Sequence, residues 1–116
     1  MLENIGHDGY QAGLDYMIGG NDNTNGIAIW HIDENQWNSG NSDYTHKLVD
    51  LEEAADAGLD LGSHNGKQTS LFFSGNKTEF SNSSNPNSKT YSGTSSGITI
   101  NNISAAGDSM TFDVSF

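Results

Sequence analysis

Carboxylates are the residues whose types and spacing offer the most chemistry. Asp33 and Glu34 follow directly on an apolar run, and Asp50, Glu52, Glu53, Asp56 and Asp60 crowd one short stretch. Hard oxygen donors in number are what calcium requires, roughly six to eight of them at about 2.3–2.6 Å. The surrounding loops are rich in Asn and Gly, whose amide and backbone carbonyls complete such a shell. Asp33, Glu34, Asp50, Glu52 and Asp56 are therefore the candidate calcium ligands, with Asp33 or Asp56 expected among them. The plainer reading of the same side chains is a solvated acidic surface.

Other chemistries have thinner support. His31 and Asp33 form a His-x-Asp pair, two potential zinc ligands, but the third would have to come from His46 or His64 in a distant loop. A lone strand histidine more often serves as a hydrogen-bonded structural residue, and no zinc is expected. Asp33 and Glu52 could form a glycosidase pair, which needs two carboxyl groups about 5–9.5 Å apart across a sugar cleft. Acidic residues are too abundant here for that pairing to weigh much. No Gly-x-Ser-x-Gly nucleophile elbow occurs, and Gly93-Thr94-Ser95-Ser96-Gly97 matches it only in composition. Trp37 sits in a polar stretch and could stack on a sugar or peptide; packing over the core edge is the expected role. Trp37 and His31 are the candidate binding residues.

The element that must present these groups is the run Gly26–Asn35. Ile27, Ile29, Trp30 and Ile32 place apolar groups on both alternating faces, which predicts a central strand covered on each side. It ends at Asp33-Glu34-Asn35, where three oxygen-bearing side chains emerge together. Upstream, Gly6–Gly26 is dense in Gly and Asn and reads as turns. Asn21, Asn23 and Asn25 imitate the opening of an EF-hand loop, but Ile32 occupies its twelfth position and the segment runs into a strand. Leu48–Leu51 reads as a strand end, and Glu52–Ala57 as one or two helical turns stopped by Gly58. Gly62–Ser96 is low in complexity; Leu71, Phe72, Phe73, Phe80 and Tyr91 are its expected anchors, and Pro86 marks a turn. Ile98 and Ile100, then Met110, Phe112, Val114 and Phe116, alternate with polar residues around Ala106-Gly107-Asp108, a hairpin signature. The expectation is a single, mainly β domain over residues 1–116: antiparallel, two-layered, with long loops and at most one short helix.

Composition narrows the partners. The 116 residues are 33% hydrophobic, so the core should be thin and confined to a few strands. Fifteen acidic side chains face four basic ones, a formal charge of −11. Phosphate and anionic lipid repel such a surface, which argues against nucleic-acid and membrane partners. A protein or peptide partner remains. There is no cysteine, hence no disulfide or thiolate site. Met1–Tyr10 has neither the basic start nor the apolar stretch of a signal peptide, and no run reaches the roughly 20 apolar residues of a membrane span. The sequons at Asn76, Asn82 and Asn102 arise readily by chance in so Asn- and Ser-rich a chain.

Several ordered motifs carry a family resemblance. Gly26-Ile27-Ala28-Ile29-Trp30-His31-Ile32-Asp33-Glu34 resembles the "GLLIWHIDE" segment of secreted zinc metallopeptidases of the immune inhibitor A type, the M6 family. Leu2-Glu3-Asn4, Gly13-Leu14-Asp15 and Val49-Asp50-Leu51-Glu52-Glu53-Ala54 resemble further family segments in the same order. So does the ending from Asn85-Pro86-Asn87-Ser88 to Met110-Thr111-Phe112-Asp113-Val114. The similarity covers nearly the whole chain and lies in the region after the catalytic helix. The family's zinc-binding His-Glu-x-x-His is absent: none of His7, His31, His46 and His64 has another histidine three or four residues away. The resemblance implies a non-catalytic structural or binding domain, secreted in the family, which would support a catalytic unit and flank its substrate cleft. It also implies that the first strand lacks an upstream neighbour, so that a homodimer through its unpaired edge, or a covering loop, would repair it. The alternatives are a small hydrolase built on the clustered carboxylates and a folded gene fragment without selected activity.

Overall fold

The computed structural model describes residues 1–6, 25–55, 58–62 and 66–116. Among these residues five strands form two antiparallel sheets. In the first, β1 (Leu2–Ile5), β2 (Gly26–Ile32) and β3 (Val49–Leu51) lie in that order, with β2 central. In the second, β4 (Thr99–Asn101) pairs with β5 (Asp113–Ser115). The only helical elements among the described residues are two 3-10 turns, Glu34–Gln36 and Gln68–Ser70, so the mainly β, two-sheet expectation holds.

The central strand is where the apolar run placed it. Ile27 pairs with Asn4 of β1 on one side and bridges Phe72 on the other, its N–H and C=O bonding Phe72 at 2.8 and 2.9 Å. Ile27, Ile29, Ala54, Phe72, Phe80, Ile100 and Ile103 make the core, and Leu2, Ile98, Met110 and Phe112 pack against it. Phe72 is wholly buried and meets Phe80 edge-on, ring centroids 5.9 Å apart. Phe80 in turn bridges Ile100 of β4, so the long polar segment joins the two sheets through these two phenylalanines. Covering of β2 is incomplete: residues 26–29 are buried, but Ile32 at the strand's end is exposed.

Two expectations need correction. Residues 52–55, the described part of the anticipated helix, are not helical. Their backbone bonds go elsewhere: Glu52 N–H donates to the Ile29 carbonyl, Ala54 N–H to Ser70 and Ala55 N–H to Thr69. Tertiary pairing has outweighed helix propensity. Trp37 does not pack over the core edge. It closes the first 3-10 turn and is 78% exposed.

The closing hairpin has the expected strands but a longer connection. At Asn102 the backbone turns left-handed (φ 52°), Ile103 dives into the core, and the ladder gives way to a bond from Ser104 N–H to the Thr111 carbonyl. The tip of this connection reaches the first sheet, where Asn4 Nδ2 donates to the carbonyls of Gly107 and Asp108 at 3.3 and 3.1 Å.

Candidate functional site

Carboxylates converge on the ends of β2 and β3, where Asp33 and Glu52 each meet a histidine and Asp50 and Asp60 share Lys47. Asp33 follows β2 and caps the first 3-10 turn, its Oδ1 accepting from Asn35 N at 3.0 Å. Its Oδ2 lies 2.8 Å from His46 Nε2. These contacts, that with His46 foremost, hold its carboxyl below the usual range. On β2 itself His31 turns its Nδ1 to Glu52 Oε1 at 3.1 Å. Burial pushes the Glu52 carboxyl up; the bond to His31 opposes this, and the charges of Asp50 and Asp60 add to it.

Tyr91 joins the two histidine pairs. Its ring lies 4.5 Å from the His31 imidazole at 23°, stacked, and 4.2 Å from that of His46 at 37°. Its hydroxyl accepts from Lys47 N at 3.3 Å. Burial and the nearby Asp50 charge raise the phenol above its ordinary value, so it stays protonated at neutral pH. The clasp pins the Ser- and Thr-rich loop around residue 91 to the ends of the first sheet.

Lys47 completes the cluster. Its Nζ donates to Asp50 Oδ1 at 2.6 Å and to Asp60 Oδ1. Burial draws its pKa down, but the two carboxylates outweigh burial and hold it above the usual amine range. Beside it opens a polar cavity of about 290 Å³ bounded by Asp50, Glu52, Glu53, Asp60 and Lys77. Glu53 is buried, and its carboxylate accepts the backbone N–H groups of Leu59 and Asp60 at 3.1–3.3 Å.

Of the candidate calcium ligands, the cavity therefore brings together Asp50 and Glu52. Asp33 lies in the His46 pair, Glu34 is exposed on the 3-10 turn, and Asp56 falls outside the described residues, as do His7 and His64. Among the described residues no three His, Asp or Glu side chains are grouped so as to hold one metal ion. A calcium ion entering the cavity would have to take Asp50 and Asp60 from Lys47. Asp33 and Glu52, the candidate acid/base pair, are each bonded to a different histidine, and both imidazoles lie against Tyr91. Asn76, the first sequon residue, spends its amide on the Thr69 and Leu71 carbonyls.

Two members of this cluster carried no functional signal in the sequence reading. Tyr91 figured there only as a loop anchor, although it is the one aromatic residue between Phe80 and Phe112. Lys47 is one of only four basic residues in a chain of fifteen acids, and such scarcity sets several carboxylates in competition for each lysine.

A second feature lies between the sheets. An apolar groove of about 450 Å³ runs from Met1, Leu2 and Ile32 on one wall to Ile98, Val114 and Phe116 on the other. Val114 is 48% exposed and Phe116 94%. Comparison with known proteins gives no match for this chain, whether to a family model, a curated protein or a solved structure.

Proposed function

We propose that this chain is a non-catalytic structural and binding domain, equivalent in place to the region after the catalytic helix of M6-type zinc metallopeptidases. What supports this reading is how its reactive side chains are engaged. Asp33 holds His46, Glu52 holds His31, and Asp50 and Asp60 hold Lys47, all around a tyrosine that ties a long loop to the sheet. Three of these contacts span segments thirteen to twenty-one residues apart in sequence, so together they fasten loops to the sheet. The sequence also lacks the His-Glu-x-x-His of the family it resembles.

On this reading the domain binds and supports a zinc-bearing segment, and its own carboxylates serve stability. The test combines the purified chain with a separately produced His-Glu-x-x-His segment of an M6 peptidase, reading association by calorimetry and casein hydrolysis in zinc. The expected result is no hydrolysis by the chain alone and a measurable complex with the segment. Turnover of a peptide or glycoside by the chain alone, lost in Glu52→Gln, would establish the carboxylate hydrolase instead. Absence of any complex would remove the supporting role.

A further inference from the structure

We propose that the outer edge of β5, with the apolar groove beside it, is a docking site for an extended peptide of alternating apolar and basic residues. The inference rests on the reading of the chain as a binding domain and specifies what it binds.

The backbone argument comes first. The N–H and C=O of Ile100 both bond Phe80, each at 2.8 Å. Ile100 faces Val114 across the β4–β5 ladder, so this is a pair whose hydrogen-bonding groups point away from each other. The N–H and C=O of Val114 therefore face outward, and among the described residues nothing bonds them. An unpaired strand edge of this kind accepts a further strand through main-chain bonds, with pockets for alternate side chains giving selectivity.

The side chains supply such a pocket. Phe112, Val114 and Phe116 share one face of the terminal segment. Phe112 packs on the core, Val114 is half exposed and Phe116 almost fully so, which carries an apolar stripe out of the core along the groove. Met1 and Ile32, both exposed, form the facing wall. Apolar surface aligned on both sides of one groove marks an interaction site more strongly than the same residues scattered.

Charge selects the occupant. A second copy would bring −11 against −11, whereas a basic segment is drawn to the net acidic chain. The groove itself is lined by Lys89 and Met1 against Glu52, so the basic positions belong on the opposite face of β5, where Asp113 is exposed. Every second side chain of an added strand points away from the groove, and those positions are where lysine or arginine belongs.

The probe is a fluorescein-labelled synthetic peptide of alternating Val and Lys, about eight residues long, followed by anisotropy at physiological salt. Three reagents separate strand addition from charge attraction: the same peptide N-methylated at alternate residues, a Ser-for-Val analogue, and the chain carrying Val114→Pro. Proline is tolerated at a strand edge and removes the outward N–H together with the Val114 side chain, so the fold, checked by circular dichroism, should persist while both contacts of this position are lost. We expect binding by the parent peptide, and loss of about tenfold or more with each change. Phe116→Ser serves as a second variant, at a residue too exposed to matter for folding, and should weaken binding as well. Equal binding of the N-methylated peptide, or unchanged binding by Val114→Pro and Phe116→Ser, overturns the proposal. So does a concentration-dependent dimer of the chain that Val114→Pro dissolves, since the edge would then serve self-association. If the peptide fails while the M6 segment still binds, the docking edge alone falls; if only the M6 segment fails, the docking edge stands and the supporting role falls.

Discussion

Glu52 and Asp33 occupy similar places at neighbouring strand ends and are shifted in opposite directions, because desolvation dominates at Glu52 whereas hydrogen bonds from His46 and Asn35 dominate at Asp33. Burial raises the Glu52 pKa above its ordinary 4.5, so the folded chain binds that proton more tightly than the unfolded one. The stability gained is whole below the unfolded value and is lost as pH rises through the folded one. Glu52→Gln keeps an acceptor for His31 and abolishes this titration. Its stability relative to the parent should therefore climb as pH goes from about 4 to 7, as read from urea midpoints along the series. Asp33, held below 3.8 by His46 and Asn35, acts in reverse: its contribution is present above the unfolded value and is lost as pH falls through the folded one. Asp33→Asn should lose less stability on acidification than the parent. Differences that stay flat with pH in both variants would mean that neither carboxyl is perturbed by folding.

At the level of elements, what the sequence made legible followed from periodicity. The apolar stretch Ile27–Ile29 lies buried in the central strand as expected, and the alternation turns Met110 and Phe112 to the core, whereas Val114 and Phe116, later in the same series, are exposed. The anticipated helix at Glu52 failed because helix propensity is a local quantity, whereas the N–H groups of Ala54 and Ala55 found carbonyls sixteen and fourteen positions away, at Ser70 and Thr69. The candidate site was half legible for a related reason. Acidic residues at strand ends are visible in a sequence, but the histidine or lysine each one meets is set by loop paths that leave no periodic trace. The segment that makes those paths possible packs tightly at Gly26. A Cβ there would stand 2.7 Å from the Leu71 Cβ and 3.2 Å from the Phe72 carbonyl oxygen. Gly26→Ala must push the 71–72 segment off β2 and weaken the Ile27–Phe72 bridge. We expect a loss of about 1–3 kcal/mol in chemical denaturation, with faster hydrogen exchange at the Phe72 and Ile27 amides. Phe72→Ala leaves a void at the same junction and should cost more, about 3–5 kcal/mol. An unaffected Gly26→Ala variant would mean that the loop does not approach β2 so closely.

For the molecule as a whole, the imbalance of fifteen acids against four lysines governs both stability and response to cations. Self-repulsion is long-ranged and screened by salt, so raising sodium chloride from about 0.01 to 0.5 M should raise the melting midpoint. Calcium has two routes to a larger effect: as part of the ionic strength, or as a bound ion among Asp50, Glu52 and Asp60. Lys47 decides between them, because its ammonium already sits between Asp50 and Asp60. In the parent chain, millimolar calcium should raise the midpoint no more than sodium chloride at matched ionic strength. Lys47→Met keeps the apolar stem and removes the ammonium, leaving Asp50 and Asp60 without their shared cation. That variant should lose roughly 1.5–3 kcal/mol in EDTA, the usual worth of hydrogen bonds to charged groups. It should also gain a calcium-specific recovery that grows with concentration as mass action requires. A calcium-specific rise already present in the parent would show that the ion binds despite Lys47, either by displacing its ammonium or through ligands outside the described residues, such as Asp56. A variant that calcium cannot restore would show that the cavity's carboxylates cannot close on a cation even when freed.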